Sequence, residues 1–137
     1  MRLVGLDLGQ KRIGVAVAES ERGLAFPERV LRRTSARADR QAIVTLVTGL
    51  RAERVILGLP LTAAGERGEN AERAEAFGRD LARALPVPLE MQDERFSTIE
   101  ADERLAASGA GWRERKRRVD AAAAAVILED YLRAHAV

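Results

Sequence analysis

Two apolar runs near the start, residues 2–8 and 12–19, are separated only by Gly9-Gln10-Lys11. In the second run Ile13, Val15 and Val17 alternate with Gly14, Ala16 and Ala18. A period of two with neither face polar describes a strand covered on both sides, and the small residues let another element approach closely. The pair therefore predicts a central hairpin. Set into its first strand is one carboxylate, Asp7, directly before Leu8-Gly9. Burying an unpaired charge costs several kcal/mol or more. Only Lys11 and Arg12 lie near in sequence, so the partner of Asp7 is one of these, a phosphate or a metal ion.

The following segments fill in the sheet. "LAFPERVLRR" (24–33) reads as a third strand, with Pro27 favouring an edge position or a bulge. The period then changes. Ile43, Leu46, Val47 and Leu50 predict a helix over 36–51, and Ala74, Phe77, Leu81 and Leu85 a second over about 70–85. Between them "RVILGLP" (54–60) is a short buried strand halted by Pro60, and "VPLEMQ" (87–92) is a further strand. Ser97 and Glu100 fit a capping box opening a helix, and a last helix runs from about 115 or 119 to 134. Three adjacent strands followed by alternating elements predict an α/β chain, a mixed sheet with helices packed on it. With 137 residues, 47% of them hydrophobic, and no linker or repeat, one domain over 1–137 is expected.

Much chemistry is excluded by composition. Without cysteine there is no disulfide framework or thiolate metal site, and the single histidine, His135, stands third from the end. Nucleophile-elbow, Walker and dinucleotide-binding glycine motifs are missing. The longest apolar run, "AAAAAVIL" (121–128), is far short of the roughly 20 residues that span a bilayer, and the start does not read as a signal peptide. A cytoplasmic protein is expected. The formal net charge is only +2, so the distribution of charge matters more than its total. Basic residues concentrate in "WRERKRR" (112–118) and more loosely in "RRTSARADR" (32–40).

Two further acidic sites accompany Asp7. Asp93-Glu94 follows a predicted strand, where open sheets place functional groups, and Asp120 opens the apolar part of the last helix. Taken singly, Asp120 reads as a helix cap and Asp93-Glu94 as a solvated pair. Gathered at one end of a sheet, these acids would repel unless cations lay among them. Oxygen donors without histidine or cysteine favour Mg²⁺ or Mn²⁺. Such ions can activate water and stabilise the leaving oxygen of a phosphodiester, while arginines hold its phosphates.

"GLDLGQKRIGVAVAE", "VILGLPL", "DERFST-EA" and "K-x-x-VDAAAAAVIL" resemble, in order, the motifs of the YqgF/RuvX family, and the resemblance covers nearly the whole chain. That family comprises Holliday-junction resolvases, also described as pre-16S rRNA processing nucleases, with an RNase H-like fold. The resemblance implies a β-β-β-α-β-α-β-α-α order and a metal-dependent nuclease. Its catalytic acids fall on Asp7, Glu94 and Asp120, which would also be the metal ligands, with Asp93 in reserve. Lys11, Arg12, Arg95 and Lys116 match its basic positions; Arg113, Arg115 and Arg117 lie in the same basic run as Lys116 and are expected to touch phosphates too. The chain departs from the family pattern at Gln10, at Thr62-Ala63-Ala64-Gly65 and at Arg117, none of them in the acid triad. The expected partner is structured or single-stranded RNA, with branched DNA as the other candidate. The expected state is mainly monomeric, with a two-fold dimer as the alternative. A non-hydrolytic nucleotide or nucleic-acid binder on the same fold is the competing function.

Overall fold

The computed structural model describes residues 1–61, 64–94, 97–109 and 111–135, of which 97–100 and 112–117 are described by backbone alone. The chain begins with β1 (Arg2–Leu8), β2 (Arg12–Glu19) and β3 (Leu24–Arg32). It continues through α1 (Ala36–Leu50), β4 (Arg54–Leu59), α2 (Glu69–Ala84), β5 (Leu89–Asp93), α3 (Ser97–Ala107) and α4 (Trp112–Ala134). The strands form one sheet in the order β3-β2-β1-β4-β5. The β1–β2 and β2–β3 pairs are antiparallel, whereas β1–β4 and β4–β5 are parallel. This mixed sheet and element order are the RNase H-like topology.

Strand parity divides the core. Val4, Leu6, Ile13, Val15, Val55 and Leu57 face Ile43 and Val47 of α1 and Phe77 and Leu81 of α2. The opposite face carries Leu3, Ala16, Ala18 and Ile56 against Ala124, Ile127, Leu128 and Tyr131 of α4. On its other side α4 packs Ala122, Ala123 and Val126 against Ala101 and Leu105 of α3. A helix covered on two sides needs apolar residues all round, which accounts for "AAAAAVIL". Buried Glu129 in this helix accepts from the Ala25 amide at 3.1 Å and from Arg104 at 2.6 Å, tying α4 to β3 and to α3.

The first four elements match the sequence reading closely. The β2–β3 register shifts between Val15 and Ala16, opposite Arg29 and Pro27, and β3 is an edge strand. Ser35 caps α1, its hydroxyl accepting from the Ala38 amide at 3.1 Å. The last helix differs: it begins at Trp112, so Asp120 lies more than two turns inside it and cannot cap it. The side chains of the expected Ser97–Glu100 capping box lie outside the described ones. Among the described residues, no helix is long and apolar enough to cross a membrane.

Candidate active site

Asp7 faces α4, on the same side of β1 as Leu3 and Gly5. It is 8% exposed. Its carboxyl is pushed above the usual carboxylate range, chiefly by burial. A hydrogen bond with Glu94 pulls the other way, and the neighbouring charge of Asp120 raises it further. The structure thus brings Glu94, just past the end of β5, and Asp120, on α4, each beside Asp7 on β1. By parity Asp93 belongs with Leu89 and Met91, which pack on the α1–α2 side of the sheet.

Two glycines, Gly14 and Gly58, make this convergence sterically feasible, and a third, Gly5, lets α4 pack closely farther along. Gly14 is the cross-strand neighbour of Asp7, and a Cβ there would stand 1.9 Å from the Asp120 carbonyl oxygen. The first half of α4 therefore lies directly on the β2 backbone. At Gly58 a Cβ would come within 2.8 Å of the Glu94 carboxyl carbon and 2.7 Å of Ile127 Cδ1. Gly5 gives the same clearance to Leu128, 2.5 Å from its Cγ. The Glu94 amide donates to the Leu59 carbonyl at 3.2 Å, fixing the chain as it leaves the sheet.

The β1–β2 turn carries the cations. The Gly9 amide donates to the Arg12 carbonyl at 2.9 Å, closing the turn. Arg12 Nε donates to Asp120 Oδ2 at 3.0 Å. Arg33 clamps the turn from outside, donating to the Gly9 carbonyl at 2.9 Å and to Asp39 at 3.1 Å. Buried Asp39 also accepts from the Thr34 amide at 3.1 Å, and the Arg33 guanidinium lies 5.5 Å over the Phe77 ring. Arg33 and Asp39 were not singled out as site residues by sequence, although both lie in the looser basic run at 32–40. Lys11 is exposed on the turn. Arg95 lies outside the described residues, as do the side chains of Arg113, Arg115, Lys116 and Arg117.

The donor chemistry of the three acids suits a hard divalent cation, since all offer carboxylate oxygen. Their arrangement is not that of an assembled centre. Asp120 is turned onto Arg12, and among the described residues no group of three His, Cys, Asp or Glu is placed to hold a metal.

Comparison with known proteins agrees with this fold. Residues 1–134 match the family model "RuvX: Holliday junction resolvase". A protein of Anaeromyxobacter sp. (strain Fw109-5) named "Putative pre-16S rRNA nuclease" is 45% identical over 132 residues, 96% of either chain. A Paracoccus denitrificans protein of the same name is 40% identical over 130 residues, 95% of this chain and 82% of that one. Among solved structures, Thermus thermophilus RuvC in complex with a Holliday junction superposes with TM-score 0.64 at 18% identity, covering 98% of this chain and 95% of that one. The fowlpox virus Holliday junction resolvase gives TM-score 0.58 at 11% identity, covering 98% and 100%. At such identities the two structures speak for the fold. The family match over nearly the whole length, with relatives at 40–45% identity, decides the assignment: the chain belongs to the YqgF/RuvX family.

Proposed function

We propose that the chain is a metal-dependent nuclease that hydrolyses phosphodiester bonds, with Asp7, Glu94 and Asp120 as its catalytic acids and Mg²⁺ or Mn²⁺ as cofactor. The observation that carries this reading is that buried Asp7 on β1 has two carboxylates beside it, Glu94 just past β5 and Asp120 on α4, the latter resting against Gly14, the cross-strand neighbour of Asp7. A fold has no structural use for such a group, because burial and mutual repulsion both disfavour its charge. When bound, a divalent ion would activate water and stabilise the departing oxygen. Asp7 is the fixed ligand of the set, held within a paired strand. Glu94 follows the end of β5 and has more freedom, and Asp120 becomes available as Arg12 turns from it to a substrate phosphate. Lys11, with Arg95, Arg113, Arg115, Lys116 and Arg117, would hold neighbouring phosphates. The relatives' name favours precursor rRNA as substrate, and the family description favours branched DNA. We take RNA as the primary substrate.

The test is a cleavage panel of RNA precursors and four-way junctions with Mg²⁺ or Mn²⁺. Asp7→Asn, Glu94→Gln and Asp120→Asn should each lose at least about 100-fold in rate, on the scale of losing one electrostatic stabiliser of a transition state. Folding should persist in Asp120→Asn, because a pair as exposed as Arg12–Asp120 contributes at most about 1 kcal/mol. Nucleic-acid binding without cleavage of any substrate would establish the non-hydrolytic alternative.

A further inference from the structure

Beside the acids, on the far side of Arg12, lies a depression of about 660 Å³ lined by Gln10, Lys11, Arg12, Val30, Arg32 and Arg33. Four of these six residues are cationic. The Arg33 charge is met by Asp39 and that of Arg12 by Asp120. For Lys11 and Arg32, both exposed, no carboxylate among the described residues lies within ion-pair distance. The β2–β3 register sets Arg32 directly opposite Arg12. Like charges facing each other across two strands destabilise a sheet, and a polyanion laid over both would turn that repulsion into attraction. Among the described residues no aromatic ring lines the depression, and its lining offers charge rather than a stacking platform for bases. Phosphate charge is the handle that remains.

We propose that this depression seats the phosphodiester backbone flanking the cut bond, through Lys11 and Arg32, without reading the bases. The assignment rests on the nuclease reading for its orientation: Arg12 belongs both to the depression and to the ion pair with Asp120, so a strand lying here enters the acid cluster directly. Arg33 shapes the floor, since its hydrogen bonds to Gly9 and Asp39 hold it in place.

Anisotropy titrations of short fluorescein-labelled RNA and DNA strands, two unrelated sequences of each, test this in EDTA over a series of KCl concentrations. The comparison is wild type, Lys11→Gln/Arg32→Gln, and Arg22→Gln/Arg51→Gln, which removes equal charge at the opposite end of the strands. The first pair should weaken all four ligands alike and flatten the slope of log K against log salt by about 1.4, from roughly 0.7 per phosphate contact on single strands. The control pair should leave the slope unchanged. An unchanged slope in Lys11→Gln/Arg32→Gln, or an equal loss in the control, overturns the proposal. Cleavage by the wild type with Mn²⁺ is scored separately. No cleavage together with the flattened slope removes the nuclease reading and leaves the phosphate track standing. Cleavage with an unchanged slope removes the track alone.

Discussion

Gly14 and Asp120 are in backbone contact: the Cβ that Gly14 lacks would stand 1.9 Å from the Asp120 carbonyl oxygen and 2.8 Å from the Ala121 nitrogen. Because Gly14 also pairs with Asp7, one missing side chain sets the separation of two of the three acids. Replacing Gly14 by Ala sets a methyl against backbone, which no rotamer change relieves. Overpacking of this kind costs typically about 1–3 kcal/mol, and the upper end is expected here. Thermal unfolding should therefore occur roughly 10 °C lower for a chain of this length. A loss below about 1 kcal/mol in urea titration would mean that α4 does not rest on β2 as described.

Gly58 separates a functional constraint from a structural one. Its absent Cβ would meet the ends of two flexible side chains, Glu94 and Ile127, whereas that of Gly5 would meet Leu128 and, at 2.9 Å, the Ala124 carbonyl oxygen. Gly58→Ala should cost little stability, because both neighbours can rotate, yet it displaces the Glu94 carboxylate. Gly5→Ala should be the more destabilising and leave the acids where they are. The expected result is a crossing of two measurements. Gly58→Ala loses more than about tenfold in kcat with a small shift in Tm, while Gly5→Ala shifts Tm more and keeps kcat. Equal ranking in both assays would show that Gly58 serves packing only.

The sequence disclosed the sheet because period-two alternation survives burial on both faces, as in Ile13, Val15 and Val17 against Gly14, Ala16 and Ala18. Asp7 stood out for the same reason, as a charge where the pattern allows none. The start of α4 did not show. Residues 113–118 are good helix formers, but their sequence lacks the apolar stripe that periodicity detects. Asp120 consequently looked like a cap. The strand 87–92 starts at Leu89, after Pro86 and Pro88, neither of which can donate to a ladder. The role of Gly14 and Gly58 was hidden for another reason: a small residue is a requirement only once the helix lying on it is placed.

The buried carboxyl of Asp7 predicts a stability that depends on pH with a definite sign. Burial raises it above its ordinary value of 3.8, so the folded chain holds this proton more tightly than the unfolded one. Its contribution to stability is therefore greatest at low pH and falls as pH rises from about 4 through the raised folded value. At neutral pH each unit of that displacement destabilises the fold by about 1.4 kcal/mol. Asp7→Asn removes the penalty and keeps the shape. In EDTA at pH 7 the variant should melt above the wild type, and the gap should close as pH approaches 4. Mn²⁺ should raise the Tm of the wild type and leave the variant nearly unmoved. A lower Tm for Asp7→Asn in EDTA would mean that the carboxylate is stabilised in the fold rather than held there for chemistry.

Oligomeric state follows from the outer strand. On β3, Leu24 and Phe26 are 55% and 58% exposed and are the large hydrophobic side chains most open to solvent among the described residues. Paired cuts in a four-way junction need two active sites, hence a self-complementary surface related by a two-fold axis. Two side chains supply far less than the roughly 1,200–2,000 Å² buried in stable interfaces. The strand also guards its own edge: Pro27 has no amide to donate, the register is bulged beside it, and Glu28 and Arg29 carry charge. We therefore expect a mainly monomeric protein at micromolar concentration, cutting RNA and flexible strands more readily than intact junctions. Sedimentation velocity should give one slow species, unchanged by Phe26→Ser. A tight dimer abolished by Phe26→Ser, with symmetric junction cleavage lost at the same time, would place the interface on β3 and overturn the preference for RNA.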